Sequence, residues 1–486
     1  YPALFRRERA VLIRDAEIYG HGQADMRIEQ GTVTAIGRLE PHPGEPVIEA
    51  HGGALLPGLH DHHLHLAALA VRDASIACGP PHVTSRDDLA AALTRPGSDW
   101  LRGIGLCESV LGGTLPDARM LDAIVSHRPL RVQHRTGRMW FLNSAALAEL
   151  LGRAAPPPGL EREHGRYTGR LFDEDRWLQQ ALAATPPDFA ATSARLAACG
   201  VTGVTDMSPA NDPQIARHFA RQIAEGALQQ SLVLAGALSL AEAPPEGWRL
   251  GPAKLHLHES ALPDFDETCR WIARAHEQTR GVAIHCVTEV ELVFSLALLE
   301  AAGTREGDRI EHASIVSPDL ALRMADLGLK ACVQPQFVAE RGDRYLAEVE
   351  ARHHADLYRL RSLLDAGLTL AGGSDAPYGS TDPWAAMHAA VGRRTCAGVA
   401  FTPQEALTPE QALALYLADP LDLSRQRRVG LGEPADLCLL DRPWREARER
   451  LDSGDVRIAV ASGRVIHQHV DQPPVERLAR TEAATA

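Results

Sequence analysis

Apolar and polar positions change rhythm twice along the chain. From Ala10 to about Pro57, apolar residues come in short runs, Ala10–Arg14, Asp25–Glu29, Thr32–Ile36 and Val47–Glu49, separated by Gly22, Gly31 and Pro43-Gly44. Short runs bounded by turn residues, with no helical period, predict short strands. Further on, compact apolar runs alternate with stretches of helical period. Strands are predicted at Trp100–Gly105, Leu130–His134, Val201–Asp206, Ser231–Leu234, Ala253–His258, Val282–Cys286, Arg309–Ala313, Lys330–Gln334 and Leu368–Gly372. Helices are predicted at Arg86–Leu93, Asn143–Leu151, Phe189–Cys199, Pro213–Glu225, Asp264–Thr279, Glu289–Ala302, Pro318–Leu327 and Leu357–Ala366. Thr84 or Ser85, and Asn143 or Ser144, stand where side-chain caps belong.

About eight strand–helix repeats fit between His63 and Pro420, which predicts an α/β protein built on a (β/α)8 TIM barrel. The span exceeds the usual length of about 250 residues, so insertions are expected. After a helix at Thr408–Ala418, short strands return at Ala435–Leu440, Ile458–Ala461 and Arg464–His467. Chain termini of one domain tend to lie close together. The expected organisation is therefore a small β-sandwich from residues 1–57 plus 421–475, a metal-binding barrel over 58–420, and a polar, Ala-rich tail over 476–486.

Composition narrows the partners. The chain has 486 residues, is 45% hydrophobic and 23% charged, and carries a formal charge of −13. An acidic surface disfavours nucleic acid and anionic membrane, and no apolar run approaches the roughly 20 residues of a membrane span. No secretory leader is visible. The eight cysteines are scattered without a Cys-x-x-Cys pair, which reads as reduced thiols in a cytoplasmic setting. A small molecule is the expected partner.

Candidate chemistry concentrates at predicted strand ends. Leu55-Leu-Pro-Gly-Leu-His-Asp-His-His-Leu-His65 closes an apolar run with histidines. Alternate residues of a strand share a face, so His63 and His65 point the same way and can hold one divalent metal. A lone His-x-His is weak. Four more groups end separate apolar runs: Lys254, His285, His312 and Asp375. Each alone reads as a satisfied core residue or a cap. Together, at the strand ends of a barrel, they make a metal-site constellation, because a polar group buried without a partner costs several kcal/mol.

These residues resemble the amidohydrolase superfamily of metal-dependent hydrolases. Its pattern is matched by Pro57, Gly58, Asp61, His63, His65, Lys254, His285, His312 and Asp375. Trp100-Leu-Arg-Gly-Ile-Gly, Phe141-Leu-Asn-Ser-Ala-Ala-Leu, Gly200-Val-Thr-Gly-Val-Thr-Asp-Met, Val333-Gln-Pro-Gln, Gly373-Ser-Asp-Ala-Pro and Gly432-Glu-Pro-Ala-Asp-Leu resemble the YtcJ-like branch, which includes N-substituted formamide deformylases.

The resemblance implies one or two divalent ions, zinc foremost, on His63, His65, Lys254, His285, His312 and Asp375. It implies that Lys254 is either a carbamate bridging two ions or a cation beside one. It also implies attack by a metal-activated hydroxide, formed because a metal lowers the pKa of its water to about 7. Asp375 would then move the proton, and His312 or the metal would polarise the scissile group. The expected reaction is hydrolysis of a non-peptide C–N bond in a small amide. A cyclic amide or imide, an aminohydrolase reaction, or a lactone or ester are the alternatives, and a non-catalytic binding barrel is disfavoured because all six positions are filled. Relatives are commonly homodimers.

Several residues extend the candidate site. His256 and His258 share strand parity with Lys254 and are expected to line the substrate pocket or pack in the barrel. Arg135 and Arg138, in the stretch after the presumed second barrel strand, could bind a substrate carboxylate beside Trp140 as an apolar wall. Gln334 and Gln336 could reach the pocket from the seventh strand. His60 and His62 depart from the family pattern.

Overall fold

The computed structural model describes residues 10–97, 99–182, 186–240 and 247–469. The expected tail over 476–486 lies outside them. Five strands open the chain: β1 (Val11–Ile18), β2 (Gly22–Glu29), β3 (Thr32–Gly37), β4 (Val47–Glu49) and β5 (Ala54–Pro57). Strand β6 (Leu59–Leu64) carries the histidine cluster. Strands β7 (Ile76–Ala77), β8 (Leu101–Leu106), β9 (Leu130–His134), β10 (Met139–Leu142), β11 (Leu160–Glu163) and β12 (Arg166–Phe172) follow. Next come β13 (Val201–Asp206), β14 (Ser231–Gly236), β15 (Arg249–Leu255), β16 (Val282–Cys286), β17 (Arg309–His312), β18 (Lys330–Val333) and β19 (Thr369–Gly372), and the chain ends in β20 (Leu437–Leu440), β21 (Val456–Ala461) and β22 (Arg464–Gln468).

The barrel consists of β6 and β13 to β19, hydrogen-bonded in sequence order and all parallel. Parallel strands buried on both faces read as near-continuous apolar runs, and β14, β16 and β18 are of this kind. The ring is completed without a ladder between β19 and β6. Asp375 N donates to His63 O, and His65 N donates to Ala376 O, both at 2.7 Å. Gly373 permits this approach, since a Cβ there would lie 2.6 Å from the His63 Cβ and 2.7 Å from its N.

Residues Leu66–Thr192 form a compact unit of their own. Its six-stranded mixed sheet runs β11-β12-β10-β9-β8-β7 and is packed on both faces. Leu130, Val132 and Phe141 bury on one face; Trp140, Leu142 and Leu171 bury on the other. The predicted strands Trp100–Gly105 and Leu130–His134 therefore exist, at Leu101–Leu106 and Leu130–His134, but neither is a barrel strand. The second barrel strand is β13, so the expected barrel over 58–420 is interrupted. A strand followed by a helix looks the same in sequence whichever sheet the strand joins.

The ends of the chain do meet in one sheet, ordered β22-β21-β20-β5-β1-β2-β3, with β4 also pairing β1. A bulge between Ile13 and Ala16 divides β1, whose first half pairs β4 and whose second half pairs β5. Ile13, Met26, Leu55, Leu437 and Ile458 share its core. The hydrogen bonds join these strands into one continuous sheet.

Candidate metal centre

Closure of the barrel brings the two ends of the histidine pattern together. His63 Nε2 and His65 Nε2 lie 3.5 and 3.3 Å from Asp375 Oδ1. These three residues offer ligand atoms all within 4.8 Å of one another. The ring of His312 lies 4.8 Å from that of His63 and 4.4 Å from that of His285. Thus β6, β16, β17 and the turn after β19 each deliver a group to one place.

The other ring nitrogens are occupied. His63 Nδ1 bonds the Glu311 carboxylate, His65 Nδ1 faces Ser208 Oγ at 3.1 Å, and His312 Nδ1 faces Gln334 Oε1 at 2.9 Å. An Nδ1–H donated to an oxygen leaves the Nε2 lone pair free, the arrangement of metal-bound histidines. Burial, aided by neighbouring cationic groups, pushes His63 and His312 well below the ordinary histidine range and His285 to about 3. All three are neutral imidazoles, the ligating form.

Lys254 is 4% exposed, and its Nζ has no hydrogen-bond partner. Burial lowers its pKa, against the pull of Glu311. A buried, unpartnered amine among neutral imidazoles and a carboxylate is a cation-binding donor set with one group unfinished. The residues fit a divalent metal: His63, His65 and Asp375 would hold it, with His285, His312 and Lys254 adjacent. Asp375 and His312 have φ of +52° and +72°, and left-handed backbone at non-glycine residues marks stored strain of about 1–3 kcal/mol each.

Sequence reasoning missed a supporting layer. Glu311 accepts from Arg309 Nε at 2.5 Å as well as bonding His63, and Arg309 Nη2 donates to His62 O at 2.9 Å. Nothing local in Arg309-Ile-Glu-His312 sets Glu311 apart, because its histidine partner stands on another strand. Asp61 Oδ1 accepts from Ser374 N at 2.9 Å and His63 N at 3.1 Å, and burial pushes its pKa up to about 6. Glu311→Gln is expected to weaken metal affinity by about 10- to 100-fold, because the histidine loses its orienting carboxylate. It should also lower the melting temperature by leaving Arg309 buried without a counter-charge. Competitive chelator titration and calorimetry measure the two effects, and unchanged metal affinity would refute the assigned role.

The structure relocates several candidates. Strand β15 ends at Leu255, so His256 and His258 lie beyond it, and strand parity with Lys254 no longer applies. Both are exposed. The His256 ring stacks on His285 at 4.3 Å and lies 4.6 Å from His258. Gln334 is not free to bind substrate through its carbonyl, which holds His312. Gln336 Nε2 donates to Ser374 O at 2.7 Å, so it braces the turn bearing Asp375.

Arg135, Arg138 and Trp140 belong to the Leu66–Thr192 unit. Arg138 already forms a two-bond pair with Asp173, with Nε to Oδ1 at 2.8 Å. Trp140 is a core residue whose Nε1 donates to Asp175 at 2.8 Å. It packs in the core of that unit, where an apolar wall of the substrate pocket was expected. Arg135 is exposed. His60 and His62 are buried; His60 Nε2 meets Thr205 Oγ1 at 2.9 Å, whereas neither His62 ring nitrogen has a partner.

The amidohydrolase family model matches residues 46–467. The N-substituted formamide deformylase of Arthrobacter pascens is 27% identical over 481 aligned residues, covering 85% of this chain and 88% of that protein. The putative amidohydrolase YtcJ of Bacillus subtilis is 25% identical, covering 95% and 96%. Among solved structures, an uncharacterized metal-dependent hydrolase from Pyrococcus horikoshii shares the fold at a TM-score of 0.77 and 20% identity, over 92% of this chain and all of that one. Family match, barrel and converging ligands agree: the chain belongs to the amidohydrolase family, as a metal-dependent hydrolase of carbon–nitrogen bonds in small molecules.

Proposed function

We propose that the substrate is a linear, N-substituted amide, and that the site holds two zinc ions bridged by a carbamate on Lys254. One observation carries the second part. Lys254 Nζ is buried without a partner among ligating side chains, and a neutral amine adds carbon dioxide to become a carboxylate-bearing ligand, which an ammonium cannot be. His63 and His65 would hold one ion and His285 and His312 the other, with Asp375 completing the set; imidazole and carboxylate donors suit zinc. The substrate assignment rests on the 27% identical deformylase.

A bound ion supplies Lewis acidity and an acidified water at neutral pH. The chain's own groups do the rest. Asp375 accepts the proton from the attacking water and returns it to the leaving nitrogen. Gln336 and Asp61 hold its turn in place. His256 and His258, exposed beside His285, present N–H donors and ring faces to the substrate body. The eight cysteines are free thiols, in keeping with a cytoplasmic protein.

Metal content per chain and intact mass under mild conditions, followed by turnover of N-substituted formamides, cyclic imides and amino-heterocycles, test this reading. Two ions, the added mass of one carbon dioxide, and preference for the formamides are expected. One ion with unmodified lysine and preference for an amino-heterocycle would overturn it in favour of an aminohydrolase.

A further inference from the structure

The Leu66–Thr192 unit contains two arginines that its fold leaves unmatched. Arg102 on β8 and Arg131 on β9 are direct cross-strand partners in a parallel pair. Like charges placed opposite each other on one sheet face destabilise it. Both side chains are partly buried, and the Nε atom of each is buried without a hydrogen-bond partner. Among the described residues no carboxylate forms an ion pair with either guanidinium.

Aromatic rings hold the pair in place. The Arg131 guanidinium lies 5.9 Å from the centre of the Trp100 ring and 5.4 Å from that of Trp140, and Arg102 lies 5.1 Å from Trp140. The sequence Trp100, Arg131, Trp140, Arg102 is a ladder in which each cation rests on an indole face. The flanking carboxylates are committed elsewhere. Glu149 accepts from Trp100 Nε1 at 3.0 Å and pairs with Arg153 at 2.7 Å, and Asp175 accepts from Trp140 Nε1 at 2.8 Å. Asp175 is close enough to attract Arg102, but burial and the charge of Arg131 outweigh it and lower the Arg102 pKa to about 10. The indole contacts hold the two guanidinium groups beside each other and leave their charge unneutralised.

We propose that Arg102 and Arg131 form a binding site for a small oxyanion, a carboxylate or phosphate group, on the sheet of the Leu66–Thr192 unit. Two fixed planar donors without counter-charge suit a planar or tetrahedral oxyanion, which guanidinium groups bind through paired N–H donors. The site takes over the anion-binding part expected of Arg138, whose charge Asp173 already meets.

The full-length protein would be titrated with inorganic phosphate and, separately, with benzoate, at constant ionic strength set by chloride. Melting temperature and tryptophan fluorescence would be followed. A saturable rise in melting temperature is expected with at least one anion and not with chloride, and the preferred anion identifies the ligand class. Binding should weaken at least tenfold in Arg102→Gln and Arg131→Gln and persist in Arg138→Gln. Without added anion, Arg131→Met should melt no lower than the parent, because it removes a like-charge contact. Either of two results overturns the proposal: no anion-specific stabilisation in the parent, or stabilisation that survives both arginine substitutions. A large anion-independent fall in stability of Arg131→Met, with no anion effect in the parent, would show the ladder to be structural only.

Discussion

Asp375→Asn lowers kcat/KM by about a thousandfold or more while leaving the fold intact. Two losses combine. The amide cannot take a proton from water, and positioned acid–base catalysis is worth about 10²- to 10⁴-fold. The neutral oxygen is also a poorer metal ligand. The backbone argues that the variant folds. Asp375 sits at φ +52°, a left-handed conformation that asparagine tolerates better than most residues. Its N–H, which donates to His63 O at 2.7 Å, is unaltered. Steady-state kinetics on metal-reconstituted protein, with metal content and melting temperature measured in parallel, check the outcome. Activity within tenfold of the parent at full metal loading would remove Asp375 from the proton-transfer role.

Lys254→Met is expected to separate stability from activity. The side chain is 4% exposed and its Nζ is unpartnered, so the metal-free protein carries a desolvated amine that a thioether of similar length does not. Replacement should stabilise the metal-free form by about 1–2 kcal/mol. If a carbamate on Lys254 bridges two ions, the same change leaves at most one tightly held ion and lowers kcat/KM by about a hundredfold or more. Denaturant unfolding of metal-free protein and metal analysis after dialysis measure the two arms. A variant that keeps two ions and most of its activity would show the lysine to be a bystander.

The side chains that the barrel gathers, His63, His65, His285, His312 and Asp375, were legible in the sequence as polar groups at or just after strand ends. Strands β9, β13 and β16 fall on the residues expected of them. The insertion was not legible as a separate unit: in sequence β8 and β9 look like barrel strands, and which sheet a strand joins is decided by partners distant in sequence. Helix Gln336–Glu348 was missed because its polar face obscures the period. Glu311, Ser208 and the bracing by Gln336 and Asp61 were invisible for a related reason. They act through hydrogen bonds across strands, and no local spacing announces them.

The joint between the first and last barrel strands has a further consequence. It is made by backbone bonds from His65 and Asp375, the residues that also offer ligand atoms. An ion shared by them would clasp two points far apart in the chain, and a clasp that closes a long loop is worth most in an otherwise slack polymer. The reacting centre is then also the latch of the barrel. Chelation should therefore loosen this rim before it affects the opposite wall, with the amide hydrogens of His65 and Asp375 losing protection against exchange while those of β15 and β16 keep theirs.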